Sequence, residues 1–517
     1  MRAILSPWDK RGLETFAQEL SALGFELYAT DGTANALASA GQTVRNVSEL
    51  TSHPEMLGGR VKTLHPAIYA GLLADREDPD HLAQLTRLGY APIDVVAVNL
   101  YPFQATIESP SVSLKKAIEN VDIGGVSLLR AAAKNFPHVV PVVDPDDYPA
   151  VIERLRTHTD DFGWRRQMAA KAFRHVAAYD VHIAGYFGGP TDDFPEILPV
   201  ALKKIQDLRY GENPHQRAAV YSQTPNSRLE ATIVGARQLH GRELSFNNIL
   251  DVDAALNCVR DFAAVAVAVI KHGNPCGLAC ADELPEAYRK AHAGDPMSAF
   301  GGAVGLNRVV DGFTAQLIGE SHYDDVIAPG FTDEALDILR RRRNLRILQV
   351  DLSPIDPGLA EISPSLDLDF RRVSGGFLVQ TRDALTEDDV PLRTVTEREP
   401  TLEELTNLLF AWRAVKHVKS NAIVLAHELS LVGVGAGQMS RVDAVDLAVR
   451  KAGERAVGSV LASDAFFSHA DGPELAARAG VTAIIQPGGA LHDDDIIKVA
   501  NRHHLAMLFT GRRHFRH

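Results

Sequence analysis

A lysine and a histidine stand next to each other where an apolar stretch of the sequence ends. Lys271 and His272 follow directly on residues 262–270, whose composition is typical of a buried strand. Charged side chains in the middle of such a strand would be costly to bury, so the pair must lie where the strand leaves its sheet. Ligands bind at that end of the strands in open α/β sheets. The pair could supply both a cation and a proton acceptor near neutral pH.

Three other polar segments contain side chains that could bind an anionic or polar ligand. Residues 60–66 form a basic loop after two glycines; its arginine and lysine could hold a phosphate or simply be solvated. Residues 122–125 end in two glycines before the helical stretch 126–135, which predicts a helix N-terminus that binds an anion or is merely capped. Residues 209–216 combine so many hydrogen-bonding types that they favour recognition of a polar ligand over a surface turn.

The cysteines near His272 raise the question of a zinc site. Residues 274–280 are close to the Pro-Cys-x-x-Cys half of zinc deaminases, with cysteines at Cys276 and Cys280. The gap is one residue too long, and no His-x-Glu precedes it in the right context. Buried, inert cysteines are the alternative, and we expect no metal site. The later segment 435–441 lacks the third glycine of a dinucleotide-binding turn, so a Rossmann cofactor is not indicated.

The bulk composition narrows the class of protein. A chain of 517 residues is long enough for two or more domains with full cores. The net charge of −13 argues against a nucleic-acid binder, although a locally basic pocket could still take an anionic substrate. Three cysteines make no disulfide framework, which fits a reducing compartment. Because neither a signal peptide nor a membrane-spanning run is apparent, we expect a cytoplasmic protein without membrane partners.

Short apolar segments alternate with helical stretches, which predicts an α/β architecture with parallel sheets. The first elements are predicted as strands at 3–5, 26–29, 93–100 and 139–143 and a helix at 12–23. Glycine, proline and acidic residues at 188–199 predict a linker and a boundary near residue 200. In the later part, the strand before Lys271 is expected to run into a polar loop. A second proline-rich stretch at 351–364, and Lys416-His417 as an echo of Lys271-His272, suggest two similar units in tandem.

Taken together and in their order, the motifs resemble those of bifunctional purine biosynthesis enzymes over essentially the whole chain. The IMP cyclohydrolase half of that family is matched by residues 60–66, 99–103, 122–125 and 129–135. The AICAR transformylase half is matched by residues 209–215, 271–272, 419–421, 435–441, 463–467 and 513–517. The whole series is far more specific than any one of its motifs.

The resemblance implies an enzyme with two reactions. One moves a formyl group from 10-formyltetrahydrofolate, a co-substrate and not a tightly bound cofactor, to the 5-amino group of AICAR (aminoimidazolecarboxamide ribonucleotide). The other closes formyl-AICAR to IMP with loss of water. The implied fold is a methylglyoxal-synthase-like cyclohydrolase domain at 1–198, followed by a transformylase domain at 199–517. The latter would contain two cytidine-deaminase-like α/β units without zinc, about 199–360 and 361–517. Members of the family are homodimers whose transformylase site is built from both chains.

The resemblance also implies roles for individual residues. His272 would be the base for the AICAR amine, Lys271 its cationic neighbour, and Asn421 a side chain that holds both His272 and the formyl oxygen. The matched positions expected to bind the transformylase substrates are Arg209, Tyr210, Asn248, Asp324, Arg441, Phe466, Arg513 and His517.

For ring closure, the resemblance implies a second set of residues. Lys62 and Tyr101 would polarise the formyl oxygen, while Asp122 and Lys134 would manage protons. The substrate-binding positions expected there are Ser6, Lys10, Thr33, Arg60, Thr63, Gly124 and Gly125. Two departures from the family's usual loops concern this site. Trp8 offers no small hydroxyl for a phosphate, and Asp31 would repel one unless it points away, for example to cap the following helix.

Two other function classes remain open from the residues. A zinc-type nucleoside deaminase would contain stoichiometric metal. A non-catalytic nucleotide sensor would bind a purine monophosphate without turnover, and the Lys271-His272 pair argues against it because a sensor needs no proton acceptor.

Overall fold

The computed structural model describes residues 1–54, 56–107, 112–188, 194–224, 232–352 and 368–517. They form two compact units, the first mainly Met1–Ala201 and the second mainly the later part of the chain. None of the helices in these stretches combines the length and apolar character that a membrane span requires. Residues 189–193 of the predicted linker, most of the proline-rich stretch 351–364 and the expected boundary near residue 360 lie outside the described residues.

The first unit alternates strands and helices, as its sequence predicts. Its elements are β1 (Arg2–Leu5), α1 (Leu13–Ala22), β2 (Glu26–Ala29), α2 (Asp31–Ser39), β3 (Arg45–Asn46), α3 (Val47–Thr51), α4 (Pro66–Leu73), α5 (Pro79–Leu88), β4 (Val95–Ala97), α6 (Phe103–Ile107), α7 (Leu114–Glu119), α8 (Gly124–Lys134), β5 (Val140–Val142), α9 (Tyr148–Thr157) and α10 (Phe162–Gly188).

The five strands form a parallel sheet in the order β3-β2-β1-β4-β5, which confirms the predicted parallel architecture for this unit. Both of its faces are covered by helices, so the inner strands β1 and β4 are mainly apolar on both sides. On β1, Ala3 and Leu5 pack with α1, α2 and α9, whereas Ile4 packs with α4, α8 and α10. The chain leaves β1 toward β2 on one side and reaches β4 on the other. A crevice is expected at the carboxyl ends of strands at such a switch point.

The second unit contains more strands. Its elements are β6 (Ala201–Leu208), β7 (Ala218–Thr224), β8 (Arg237–His240), α11 (Phe246–Arg260), β9 (Val265–Lys271), β10 (Asn274–Ala281), α12 (Leu284–Gly294), α13 (Pro296–Ala299), β11 (Gly302–Leu306), α14 (Gly312–Glu320), β12 (Tyr323–Ala328), α15 (Asp333–Leu339), β13 (Arg346–Gln349), β14 (Leu368–Val373), β15 (Gly376–Thr381), β16 (Arg393–Thr394), α16 (Leu402–Val415), β17 (Ile423–His427), β18 (Ser430–Gly435), α17 (Arg441–Ala452), β19 (Val460–Ser463), α18 (Asp471–Arg478), β20 (Ala483–Gln486), α19 (Asp493–Arg502) and β21 (Ala506–Phe509).

Twelve of these strands form one sheet whose two halves repeat the same order of elements. From one edge the order is β8-β13-β12-β11-β9-β10, and from the other it is β16-β21-β20-β19-β17-β18. The two hairpins β9–β10 and β17–β18 meet in the centre, where Ala279 pairs with Ser430. Helices α11 and α16 occupy corresponding positions in the two halves and share one core on one face of the sheet. The opposite face has two separate cores, one with α12, α14 and α15 and the other with α17 to α19.

The structure corrects two expectations, one about the segment after β9 and one about Lys416-His417. The expected polar loop is a tight hairpin turn, because His272 and Gly273 both have positive φ and β10 begins at Asn274. The sheet is therefore mixed and not purely parallel. The echo of Lys271-His272 in Lys416-His417 is also wrong as a structural correspondence. Lys416 follows helix α16, whereas the residue that ends the matching strand is His427.

Candidate active sites

The first unit contains a cavity of about 700 Å³ at the carboxyl ends of β1, β2 and β4. This volume is typical of a site for a small molecule. The cavity is lined by ten residues predicted to act there and by further neighbours: Ser6, Lys10, Thr33, Arg60, Lys62, Thr63, Tyr101, Asp122, Gly124 and Gly125 with Pro7, Trp8, Thr30, Gly32, Gly58, Gly59, Asn99, Ile118, Glu119, Val121, Ile123, Leu128 and Phe187.

Several features of this cavity favour an anionic ligand. Helices α2 and α8 both begin at it, and the N–H groups of a first helical turn attract negative charge. The absence of a side chain at Gly124 lets Thr63 lie against the start of α8, since a Cβ there would be 2.8 Å from Thr63 Oγ1. The basic side chains of Lys10, Arg60 and Lys62 line the same space. Together these groups can hold a phosphate.

Asp122 contributes a buried carboxylate to this cavity, and its position is tightly defined. Its Oδ1 accepts a hydrogen bond of 2.7 Å from Gly125 N at the start of α8. A Cβ on Gly125 would lie 2.7 Å from the other carboxylate oxygen, so only glycine fits. Burial raises the pKa of Asp122, against the opposing effects of hydrogen bonds from Gly125 and Tyr101 and the charge of Lys62. A carboxyl group with a raised pKa is suited to exchanging protons near neutral pH.

The loop after β1 is held in place by Asn99, which the sequence analysis did not single out as a site residue. Asn99 Oδ1 accepts from Asp9 N at 2.7 Å, and its Nδ2 donates to Asp9 O at 3.1 Å. This anchoring directs the ring of Trp8 toward Tyr101, with ring centroids 5.1 Å apart. Trp8 therefore forms an aromatic wall of the cavity. The hydroxyl of Ser6 bonds to Thr30 Oγ1 at 2.9 Å on another side.

Two acidic residues near the cavity have partners of their own. Glu119 lines the cavity and pairs with Arg60 through a short contact to Nη2. Asp31, expected as a helix cap, is the first residue of α2; Thr30 is the capping position. The Asp31 carboxylate accepts a hydrogen bond from Asn46 Nδ2 and does not line the larger cavity.

The second unit carries Lys271 and His272 at the turn of the first central hairpin. Lys271 Nζ donates to Phe300 O at 2.9 Å and to Gly301 O at 2.8 Å, which uses two of its three N–H groups. His272 is exposed on the turn. The turn itself is held by Gly273 N, which donates to Asp251 Oδ1 at 2.7 Å from helix α11.

Asn421 lies in a hydrogen-bond network next to that turn. Its Nδ2 donates to Gln438 O at 2.9 Å and to Met439 O at 3.1 Å, and its Oδ1 accepts from Arg441 Nη2 at 2.8 Å. Both amide N–H groups are thus engaged, so this arrangement offers none to a formyl oxygen. In this structure the side chain of Asn421 holds Arg441.

Arg441 connects this network to the C-terminal segment. It contacts Asp464, which is fully buried, and donates to Ser463 Oγ at 2.9 Å. Asp464 also binds the Ser420 hydroxyl, and its backbone oxygen accepts from His514 N at 2.8 Å. The C-terminal residues after β21 are therefore attached directly to the network that contains Asn421 and Arg441. Arg513 and His517 are exposed there, and so is Phe466 beyond β19.

A cavity of about 230 Å³ adjoins the His272 turn. It is lined by Lys271, His272, Asn274, Pro275, Cys276, Gly294, Asp295, Ser298, Gly433, Val434, Ala436, Leu447 and Lys451. This volume is below the usual range for a substrate pocket. A folate and a nucleotide together would need more space than it offers.

The other predicted transformylase residues lie further along the same edge of the sheet. Asp324 is at the start of β12, and Asn248 Nδ2 donates to the neighbouring Asp325 at 2.7 Å. Burial raises the pKa of Asp325 to about 7, against the charge of Arg346 and the Asn248 bond. Between β12 and Asp464 beyond β19 lie six strand spacings, about 29 Å. A single AICAR molecule cannot contact both ends of that span.

Arg209 and Tyr210 belong to the segment after β6. The guanidinium of Arg209 lies 5.6 Å from the centroid of the Tyr210 ring. Asn247 of α11 donates to Glu212 O at 3.3 Å, and Asp251, one turn further, binds the His272 turn. Helix α11 thus places this segment and the hairpin turn along one of its faces.

The cysteines do not form a joint metal site. A bulge between Pro275 and Gly277 and the alternation of β10 place Cys276 against one core and Cys280 in the core on the opposite face. Burial raises the pKa of both thiols to about 12. Two ligands on opposite faces of a sheet cannot bind one ion. Within the described ranges, no group of three or more His, Cys, Asp and Glu side chains is arranged to hold a metal.

Comparison with known families identifies the family of the chain. An AICARFT/IMPCHase bienzyme model matches residues 132–451, and an MGS-like domain model matches residues 12–127. The chain belongs to the AICARFT/IMPCHase bienzyme family. This confirms the resemblance seen in the motifs and the methylglyoxal-synthase-like character of the first unit.

Relatives of this bienzyme match along their whole length. The chain is 51% identical to the bifunctional purine biosynthesis protein PurH of Anoxybacillus flavithermus, over 100% of this chain and 99% of that protein. It is 49% identical to the protein of the same name from Halalkalibacterium halodurans, with the same coverage. A solved structure described as ForH is 39% identical over 36% of this chain and 96% of that one, with a TM-score of 0.33.

One expected residue of the bienzyme's cyclohydrolase site lies elsewhere. Lys134 is the last residue of α8, ten residues and about 15 Å along the helix from Gly124, and it is exposed. It does not line the cavity. Spacing along the sequence could not exclude it, because a motif on one helix does not show which end of that helix meets the ligand.

Proposed function

We propose that the second unit of this purine-biosynthesis bienzyme transfers a formyl group to AICAR and that the first unit closes the product to IMP. The observation that carries the proposal is the presence, in one chain of this family, of two separate sites with different chemistry. One is a large cavity with cationic side chains and a buried carboxylate. The other is a lysine–histidine pair on an exposed hairpin turn.

Formyl transfer requires the weakly nucleophilic AICAR amine to attack the formyl carbon of 10-formyltetrahydrofolate. His272 takes the proton that the amine loses, and the folate N10 leaves with a proton. Lys271 is held by two carbonyls and uses its third N–H to stabilise the oxygen that gains negative charge. General acid–base assistance of this kind is worth about 10² to 10⁴ in rate. Arg441, held by Asn421 and Asp464, is available for the nucleotide.

Ring closure joins the carboxamide nitrogen of formyl-AICAR to its formyl carbon. One proton leaves the carboxamide nitrogen and one leaves the formamide nitrogen, and the formyl oxygen departs with both as water. Lys62 and Tyr101 polarise that oxygen, and Asp122 moves protons. The phosphate is bound by Lys10, Arg60 and the N-termini of α2 and α8. Because Arg60 is paired with Glu119, phosphate binding exchanges one anion for another.

The transformylase site is shared by two chains of a homodimer. Support comes from the separation of about 29 Å between its predicted ends and from the small volume beside His272. In a symmetric dimer, the Asp324 end of one chain can face the Arg441 end of its partner. The domain boundaries proposed are 1–198 and 199–517, and the repeated halves of the large sheet support two cytidine-deaminase-like units within the latter.

The proposed reactions need no tightly bound cofactor and fit a cytoplasmic location. 10-Formyltetrahydrofolate acts as a co-substrate, and neither zinc nor a bound cofactor takes part. The three cysteines are free thiols, which supports a cytoplasmic location. Its small-molecule partners are AICAR, formyl-AICAR and the folate.

The test uses AICAR and 10-formyltetrahydrofolate and follows both tetrahydrofolate and IMP. We expect His272→Ala to lose formyl transfer at least 100-fold while supplied formyl-AICAR is still closed to IMP. Glu428→Ala is the matched control, because Glu428 holds the corresponding turn position of the second hairpin with φ of 48°. Loss of both reactions in folded His272→Ala, or full formyl transfer by it, would overturn the assignment. Nucleotide binding without turnover by the unaltered protein would favour a sensor instead.

A further inference from the structure

Tyr179 of helix α10 forms two hydrogen bonds to the backbone that carries Asp122. Its hydroxyl accepts from Asp122 N at 2.7 Å and donates to Asn120 O at 3.1 Å. The side chain is buried, with 8% exposed, and its ring packs edge-on against Phe103 at 6.3 Å. One hydroxyl therefore bridges Asn120 and Asp122 within the four-residue turn 120–123 that connects α7 with α8.

That turn determines where the Asp122 carboxylate lies. Beyond it, Gly125 N binds Oδ1, and a Cβ at Gly125 would lie 2.7 Å from Oδ2, so the absence of a side chain there leaves the carboxylate its place. The carboxylate is thus fixed by α8 from one side and by the Tyr179 hydroxyl, through the backbone, from the other. If the hydroxyl were removed, Asp122 N and Asn120 O would lose a buried partner, and buried polar groups without partners are strongly disfavoured.

We infer that Tyr179 is a positioning residue for ring closure, which holds the Asp122 turn so that the carboxylate faces the cavity. The inference rests on the proposed role of Asp122 in the first unit. Tyr179 does not line the cavity, so it acts through Asp122 and not on the substrate. A displacement of about 1 Å at a reacting group can cost up to about 100-fold in rate.

The experiment compares Tyr179→Phe with Tyr186→Phe. Tyr186 is a matched control because it lies on the same helix and packs edge-on against the same Phe103 ring at 5.7 Å. With supplied formyl-AICAR, we expect Tyr179→Phe to lower kcat for ring closure about tenfold with little change in KM. Formyl transfer by the same chain should stay unchanged, which reports on the integrity of the protein.

Two further measurements separate positioning from a merely structural role. In Tyr179→Phe, the acid limb of the ring-closure pH profile should move to lower pH, because a loosened turn lets water reach Asp122. Hydrogen exchange at the Asp122 amide, measured by mass spectrometry, should accelerate in Tyr179→Phe and not in Tyr186→Phe. An unchanged kcat and pH profile in Tyr179→Phe would overturn the inference. Full ring closure by Asp122→Asn would instead overturn the proposed role of Asp122.

Discussion

Asn274 joins the turn of His272 to the loop of Asn421. Its Oδ1 accepts a hydrogen bond of 3.0 Å from the backbone N–H of Lys419, and its Nδ2 donates to His272 O at 3.1 Å. The two residues of the first bond are 145 positions apart and belong to different halves of the large sheet. One side chain therefore fixes the distance between the proposed base and the proposed nucleotide-binding network.

Asn274→Ala should lower formyl transfer about tenfold without affecting ring closure of supplied formyl-AICAR. The reason is that the His272 turn loses its connection to Lys419, and orientation of catalytic groups contributes strongly to rate. Asn501→Ala is the control, since Asn501 Oδ1 also accepts from a distant backbone N–H, that of Glu397, at 2.9 Å. Equal formyl transfer in both variants would show that the connection is not needed.

Trp8→Ser should raise the KM for formyl-AICAR about fivefold and leave formyl transfer unchanged. Trp8 is 53% exposed inside the wall of the cavity, so it can stack on a flat heterocycle, and aromatic stacking is worth about 1 kcal/mol. Its exposure also gives an optical measurement: IMP should protect tryptophan fluorescence from acrylamide, and Trp8→Phe should abolish that protection. Protection of equal size in Trp8→Phe would place the ligand away from this ring.

Treatment with a chelator should leave formyl transfer unchanged, because Cys276 and Cys280 face opposite sides of the sheet. Their thiols should also react slowly at pH 7.5, since burial raises both pKa values to about 12 and only the thiolate is reactive. Metal analysis of the purified protein checks that formyl transfer does not depend on a metal. Alkylation followed by mass spectrometry checks the slow reaction of the two thiols. If the protein contained stoichiometric zinc and lost activity when the zinc was removed, the expected insensitivity to a chelator would be wrong. The result would favour the zinc-type deaminase.

Glu404→Gln should lower the free energy of unfolding by about 2 kcal/mol at pH 7, because Glu404 binds Arg398 through both carboxylate oxygens at 2.8 Å. Burial would raise the pKa of Glu404, but the bonds from Arg398 and Thr401 outweigh it and lower the pKa to about 2. A lowered pKa means that the ionised form stabilises the fold above about pH 4.5. This stabilisation is lost as pH falls toward 2.

Urea unfolding of Glu404→Gln and the unaltered protein at pH 7 and pH 3.5 measures that effect. The difference between the two proteins should shrink at the lower pH. Lys498→Gln serves as the control, because Lys498 forms an exposed pair with Asp495 that should contribute little. A difference independent of pH would mean that the charge of Glu404 does not contribute.

The residue types and local spacing were enough to predict the alternation of strands and helices in the first unit and the glycine-opened helix that begins at Gly124. They also located the Lys271-His272 pair at the end of a strand. These features depend on neighbours in the chain, because helix and strand periodicity, glycine turns and the cost of burying charge act locally. The order of the motifs was enough to recognise the family.

Other features depended on pairings between distant residues and emerged only in the folded chain. Examples are the pairing of the two central hairpins, the hydrogen bond between Asn274 and Lys419, and the exposed position of Lys134. Local patterns do not specify which strands become neighbours, which end of a helix meets a cavity or which amide groups are already bonded. The backbone must first be brought together by burial of its apolar faces, and only then do Tyr179 and Asp122 come into contact.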